Sequence, residues 1–232
     1  MFENDTRSRR LKPLENAPRD GVVLHEIYAS VQGESTYAGL PCTFIRTTAC
    51  HLRCTYCDTP HAFTQGGPWS LDAVVAEVGR LGVPLVEITG GEPLLQPNVL
   101  PLMRRLCDEG FEVLIETSGA CDISEVDPRV IRIMDLKTPS SGECEANLWA
   151  NLAHLRPQDE VKFVVGDRND YQWCRGVIAE HQLDTKATLL MGTVFGRLQP
   201  SELVEWIVQD KLPVRMQLQM HKYIWEPDLR GV

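Results

Sequence analysis

An open, incomplete (β/α) barrel of about six parallel strands is the fold class this sequence predicts. Three observations predict it. Apolar strand-like runs alternate with amphipathic helical stretches from residue 70 onward, the rhythm of right-handed βαβ units. The stretch before residue 70 offers strands and an irregular loop but few helices. The chain has 232 residues, slightly short of the roughly 250 of a full eightfold barrel.

Residues 1–20 read as a polar leader that drapes over the domain with solvated Arg and Lys side chains, and residues 21–232 as a single domain. VVLHEIYASV (22–31) and CTFIRTT (42–48) are β-branched and aromatic, as strands prefer. Residues 49–69 are cysteine-rich, irregular and closed by Gly66-Gly67-Pro68. Ser70 caps a helix that carries Leu71, Val74, Val75 and Val78 on one face and ends at Gly82. The buried run PLVEIT (84–89) follows. A second helix carries Val99, Leu102, Met103 and Leu106, with Gly110 as its stop. FEVLIET (111–117), VIRIMDLK (130–137), EVKFVV (160–165), ATLLM (187–191) and PVRMQLQ (213–219) are the further strands. Helical stretches are expected near 145–153, 168–181 and 201–210. Chemistry in such folds gathers at the C-terminal ends of the strands.

The composition is that of an ordinary globular protein, 43% hydrophobic and 24% charged. No apolar run approaches the roughly 20 residues of a membrane helix, and the N-terminal stretch has no apolar signal core, so the expectation is a cytoplasmic protein without membrane association. A net charge of -9 argues against direct nucleic-acid binding. A small anionic substrate held by a few local cations fits.

The eight cysteines say most. In a reducing cytosol they do not form a disulfide scaffold. Cys50, Cys54 and Cys57 stand at C-x3-C-x2-C spacing, which chance produces roughly 0.01 times in a chain of this make-up. Two readings are open. Zinc in a structural site wants four ligands, with His51 or His61 as the fourth. An iron–sulfur cluster held by three thiolates keeps one iron open for a ligand. The other five cysteines read as small buried apolar residues. Downstream, Thr89-Gly90-Gly91-Glu92-Pro93, Glu116-Thr117-Ser118-Gly119 and Asp135-Leu136-Lys137 end three successive apolar strands with polar groups. The paired glycines let backbone approach a ligand closely.

The cysteine triplet, with Tyr56 before its last member and GGEP at 90–93, resembles the radical S-adenosylmethionine (SAM) enzymes. The resemblance implies a 4Fe–4S cluster on Cys50, Cys54 and Cys57. Its open iron chelates SAM, and cleavage of SAM gives a deoxyadenosyl radical. The block Tyr28-Ala-Ser-Val31-Gln32-Gly33-Glu34, with Phe44-Ile45-Arg46, Asp58-Thr59 and Gln-Met-His221-Lys222-Tyr223, is similar to the 7-carboxy-7-deazaguanine synthase family over about nine tenths of the chain. That family contracts 6-carboxy-5,6,7,8-tetrahydropterin to 7-carboxy-7-deazaguanine with loss of ammonia, on the way to queuosine. It is a homodimer with a shortened barrel of radical SAM type, and it uses Mg²⁺. By this resemblance Tyr56, Cys57, Asp58, Gly91, Glu92, Ser118, Asp135, Leu136, Lys137, Met191, Gly192, Thr193 and Val194 contact SAM. Val31, Gln32, Gly33, Glu34, Arg46, Thr89 and His221 contact the pterin, and Thr59 gives Mg²⁺ an oxygen. No side chain is assigned as catalytic, because cluster and radical carry the chemistry. An external one-electron reductant such as flavodoxin is implied.

Two other classes compete. A glycyl-radical activating enzyme shares the short radical fold but lacks the Gln32-Gly33-Glu34 segment and the Asp58-Thr59 pair. An electron carrier or zinc-stabilised binding module has little need of a strand–helix scaffold with a GGEP edge.

Overall fold

A computed structural model describes residues 6–227 and 229–231. One nine-stranded sheet organises it, in the order β3-β1-β2-β4-β5-β6-β7-β8-β9. β1 (Gly21–Val31) pairs antiparallel with both β2 (Pro41–Thr47) and the short β3 (Gly67–Ser70). From β2 onward every pairing is parallel, through β4 (Leu85–Gly90), β5 (Glu112–Thr117), β6 (Ile131–Asp135), β7 (Glu160–Val165), β8 (Thr188–Thr193) and β9 (Arg215–Met216). The six expected parallel strands are therefore present as β4–β9, and β2 adds a seventh. β3 and β9 do not pair, so the barrel stays open.

The helices cover the convex face. α1 (Thr6–Leu11) precedes the sheet. α2 (Leu71–Leu81) begins where Ser70 accepts the Ala73 N–H at 3.2 Å and ends at Gly82 with φ 70°. It buries Leu71, Val74 and Val78. α3 (Val99–Asp108) buries all four predicted apolar residues. α4 (Arg168–His181) is capped by Asp167, and α5 (Pro200–Asp210) opens on a proline whose missing N–H costs nothing there. These faces meet Val22, Ile45, Val86, Ile88, Val113, Ile115, Met134, Val161, Phe163 and Met191 in the main core.

The concave face is layered. Cys42, Phe44, Leu85, Leu114 and Ile133 form an apolar floor. Strand alternation sets charged residues, Glu87, Glu116 and Lys162, on the same face one layer higher. The strand ends above them carry the expected polar residues.

Three expectations are corrected. Residues 145–153 do not form an α-helix; they give two short 3-10 turns, Cys144–Ala146 and Trp149–Ala153. The reason lies in side-chain bonds to loops distant in sequence: Asn147 bonds both the N–H and the C=O of Lys137, and Asn151 holds the carbonyls of Gly119 and Cys121. These amides compete with helix and fasten loops instead. The last strand is two residues long rather than seven. In the leader, of which residues 1–5 lie outside the described residues, Arg10 is not merely solvated: its guanidinium donates to the His51 carbonyl at 2.6 Å. The leader thus touches the cysteine loop.

Candidate active site

The cysteine loop is pinned to the end of β4 by the two glycines. Gly91 N–H donates to Thr47 O at 3.1 Å and Glu92 N–H to Ala49 O at 2.8 Å. A Cβ at Gly91 would meet Ala49 O at 2.1 Å; one at Gly90, whose φ is 134°, would meet Thr47 O at 2.3 Å. The close approach these glycines permit is thus, first, to the chain entering the cysteine loop. Glu92 is fully buried and turned inward. It accepts from Leu94 N–H, the Thr117 hydroxyl and the Ser118 N–H at 2.8–3.0 Å, which ties the GGEP turn to the end of β5. Its carboxylate, and Ser118 with it, are occupied as struts.

Cys50, Cys54 and Cys57 lie on this loop, and burial raises all three thiols, Cys50 to about 12. A cationic partner or bound iron is needed to hold them as thiolates. Lys137, one residue past Leu136 at the end of β6, supplies positive charge toward all three. Its ammonium is bonded to Asp135 Oδ2 at 2.7 Å. Burial would lower the Lys137 ammonium, but Asp135 and Cys54 hold it above its ordinary range. The other Asp135 oxygen, Oδ1, is buried without a hydrogen-bond partner beside Cys54 and Tyr56. The Tyr56 hydroxyl sits 3.2 Å from that of Thr138 and 3.4 Å from Val164 O.

The donor set suits a cluster that keeps one position open for a polar ligand. A tetrahedral zinc with sulfur at about 2.3 Å sets sulfurs about 3.8 Å apart. The three cysteine sulfurs are not all within 4.8 Å of one another; among the described residues only His25, Glu26 and His61 bring three such donors that close. Three spread thiols, a facing lysine and an orphaned carboxylate oxygen fit an iron–sulfur cluster that carries a polar ligand.

A second group of residues meets beside the loop. The segment after β1 crosses the mouth of the concave face toward β7. Gln32 donates to Glu87, Thr36 N–H to Glu160 at 3.1 Å, and Ser35 N–H to Gln217 at 2.9 Å. Buried Lys162 bridges Glu34 and Glu116, the latter at 2.6 Å. Burial would lower Lys162 and raise Glu116; their mutual attraction wins, so Lys162 is raised and Glu116 lowered. Glu87 is pushed well above the usual carboxylate range by burial, then by Glu116 and Glu34. Thr89 reaches Glu116 at 3.5 Å.

The C-terminal segment closes over this group. Met220 N–H donates to Gly33 O at 2.9 Å, and a Cβ at Gly33 would strike His221 Nδ1 at 2.5 Å. Gln219 donates to Glu34 at 2.8 Å and to Asp58 at 3.1 Å, and Lys222 to Asp58 at 3.0 Å. Surrounding groups desolvate Asp58, which would raise it, but Lys222 and Thr59 hold it low. Burial lowers His221. Gly192 and Thr193 at the end of β8 line the pocket beneath, with Glu34, Lys162, Gln217 and Tyr223. Met191 and Leu136 send their side chains into the main core, so their backbones are what they can offer; Val194 is also buried.

Some expected residues stand apart. Arg46 is bonded to Glu26 and to the Tyr28 hydroxyl, each at 2.8 Å. Val31 lies at the far end of the β1/β2 ladder, opposite Pro41, in a separate pocket with Ala29, Gly39 and Trp225. The Thr59 hydroxyl donates to Asp58 at 2.9 Å. Sequence reasoning missed Lys162 and Glu87. The signal was present: Glu87 is a lone charge inside an apolar buried strand, and Lys162, two residues after Glu160, is a charge in the middle of another.

Comparison with known proteins agrees. A family profile described as the Radical SAM superfamily matches residues 44–135. A curated relative from Chlorobaculum tepidum, named 7-carboxy-7-deazaguanine synthase, is 48% identical over 90% of this chain and 96% of its own. Another of that name from Koribacter versatilis is 44% identical, covering 89% and 98%. A crystal structure of QueE from Escherichia coli superposes with a TM-score of 0.72 over 93% of this chain and 99% of that one, at 24% identity, which speaks to the fold.

Proposed function

The chain belongs to the 7-carboxy-7-deazaguanine synthase family, and from that membership we propose how its own residues serve the reaction. The activity is that of a radical SAM carbon–nitrogen lyase, the ring contraction of 6-carboxy-5,6,7,8-tetrahydropterin with loss of ammonia; an activating enzyme for a glycyl radical is set aside. When bound, the 4Fe–4S cluster and SAM supply the one-electron chemistry that removes a hydrogen atom from the pterin.

In our reading Cys50, Cys54 and Cys57 hold the cluster. Lys137 compensates thiolate charge, and the orphaned Asp135 oxygen, with Tyr56 and the backbones of Gly91 and Met191–Val194, faces the cofactor. The Glu34–Lys162–Glu116 bridge forms the floor of the pterin pocket. Glu34 accepts from the N–H edge of the ring, while Gln32 and the Gly33 backbone offer both donors and acceptors. Thr89 lines the wall, and His221, packed on Gly33, excludes water from above. Arg46, oriented by Glu26 and Tyr28, presents its remaining donors to a carboxylate or carbonyl. Thr59 directs its proton to Asp58, which leaves its oxygen lone pairs for Mg²⁺. A homodimer, an external reductant of the flavodoxin type and a cytoplasmic location belong to the same proposal; among the described residues no helix is long and apolar enough to cross a membrane.

The observation that carries this reading is the meeting of two groups at one strand edge. The cysteine loop, pinned by Gly90-Gly91, joins the Glu34–Lys162–Glu116 bridge through Asp58 and Gln219. The test is anaerobic incubation of the reduced, cluster-loaded chain with SAM and carboxytetrahydropterin. Formation of 7-carboxy-7-deazaguanine, abolished by Cys54→Ala, is the expected result. Cleavage of SAM without that product would overturn the substrate assignment.

A further inference from the structure

β1 carries a bulge. Leu24 pairs with Thr47 and Glu26 with Arg46, which leaves His25 as an extra residue without a partner across the ladder. Packing shows the same break. Val22 and Leu24 enter the main core, and the next residue of β1 to pack there is Ile27, three positions on instead of two. In a regular strand His25 and Glu26 would point to opposite faces. The bulge turns both to the concave side, as bulges do when they re-aim a side chain.

His61, in the turn just after the cysteine loop, meets them there. The His25 and His61 rings have centroids 4.8 Å apart and are tilted by 50°. One ligand atom each from His25, Glu26 and His61 lies within 4.8 Å of the other two. Donors of this kind bind zinc at about 2.0–2.2 Å, which sets them about 3.4 Å apart in a tetrahedron. Side-chain rotation of about 1 Å therefore completes the site.

The surroundings orient the ligands. His25 Nδ1 lies 3.2 Å from the Gln65 carbonyl. A carbonyl can only accept, so Nδ1 carries the proton and Nε2 has the lone pair. That is the arrangement in which a metal-bound histidine is usually held. Glu26 is fixed through one oxygen by Arg46 at 2.8 Å, and a carboxylate has a second oxygen to give. Two imidazoles and one carboxylate with an open fourth position suit a borderline divalent ion better than Mg²⁺, which prefers oxygen alone.

We propose that His25, Glu26 and His61 form a binding site for a divalent transition metal of the zinc class, separate from the cysteine loop. The test uses cluster-loaded protein, so that Cys50, Cys54 and Cys57 are already occupied. Zn²⁺ is titrated against a chromophoric chelator for wild type, H25A, H61A and the double variant, with H154A as a control histidine. The milder H25Q and H61Q variants keep the experiment readable if an alanine variant loses iron or secondary structure. Wild type and H154A should bind one zinc per chain. Each single variant should bind at least about tenfold more weakly, and the double variant should lose the site. The proposal is overturned if the double variant binds zinc as wild type does, or if wild type binds none in this assay.

Discussion

Replacing Lys162 with methionine tests the electrostatic floor of the pocket. Lys162 is 6% exposed and holds Glu34 and Glu116, with Glu87 close by. Methionine keeps the length of the side chain and removes the charge, leaving Glu116 buried without its cation. Breaking a buried pair from one side costs about 3–5 kcal/mol, roughly 10²- to 10⁴-fold in the folding equilibrium. With a urea slope of about 2–3 kcal/mol/M for a chain of this size, the midpoint should fall by about 1–2 M. The pH dependence has a definite sign. In wild type Lys162 holds Glu116 low against the pull of burial. In the variant burial, the largest influence on this carboxyl, acts with the Asp58 charge and outweighs the lowering left to Lys137, so the folded carboxyl binds its proton more tightly than the unfolded one. Its contribution is then fully present at low pH and lost as pH rises through the new value. The deficit of K162M relative to wild type should therefore shrink between pH 8 and pH 5. Adding Glu116→Gln should restore at least half of it. The assay is urea unfolding of both cluster-free, reduced chains, followed by circular dichroism. A deficit below about 1 kcal/mol, or one that grows as pH falls, would refute the reasoning.

Four further outcomes are expected. Gly91→Ala puts a methyl 2.1 Å from Ala49 O and so should displace the cysteine loop, lowering iron per chain after reconstitution by more than half. Gly79→Ala, in open space on α2, should leave iron content unchanged and add up to about 1 kcal/mol of stability. Thr59→Ala should keep iron content but lose most of the stimulation of turnover by Mg²⁺, read from a Mg²⁺ titration; a wild-type response would remove the metal from that residue. Hydrogen bonds from the Arg129 side chain hold Asp127 at about 2 against an ordinary 3.8, so its contribution is present above about pH 4 and lost as pH falls toward 2. Asp127→Asn should accordingly lose less stability than wild type across that acid window, measured by urea midpoints.

Much of this architecture was legible because the relevant signals are local. Ser70, Gly82 and the apolar spacing of α2 and α3 are decided within a few residues of chain, and the cysteine triplet announces its own chemistry. What failed was decided at a distance. Residues 145–153 have helical composition, but Asn147 and Asn151 find loop carbonyls elsewhere. Residues 67–69 read as the end of an irregular stretch until β1 offers them an edge. The glycines of GGEP suggested a ligand, and their nearest neighbour is the backbone of Thr47–Ala49. Lys162 and Glu87 are charges within apolar strands, and only the curvature of the sheet shows that they share one face with Glu34. The bulge at His25 breaks the strand period in a stretch whose composition gives no warning.

Deuterium flow tests the central claim most directly. The reduced, cluster-loaded chain is given SAM and pterin substrate deuterated at carbon 6, and the products are read by mass spectrometry. Hydrogen-atom removal at that carbon predicts deuterium in 5′-deoxyadenosine or recovered SAM, alongside 7-carboxy-7-deazaguanine. Product formation with no deuterium in either would contradict the account.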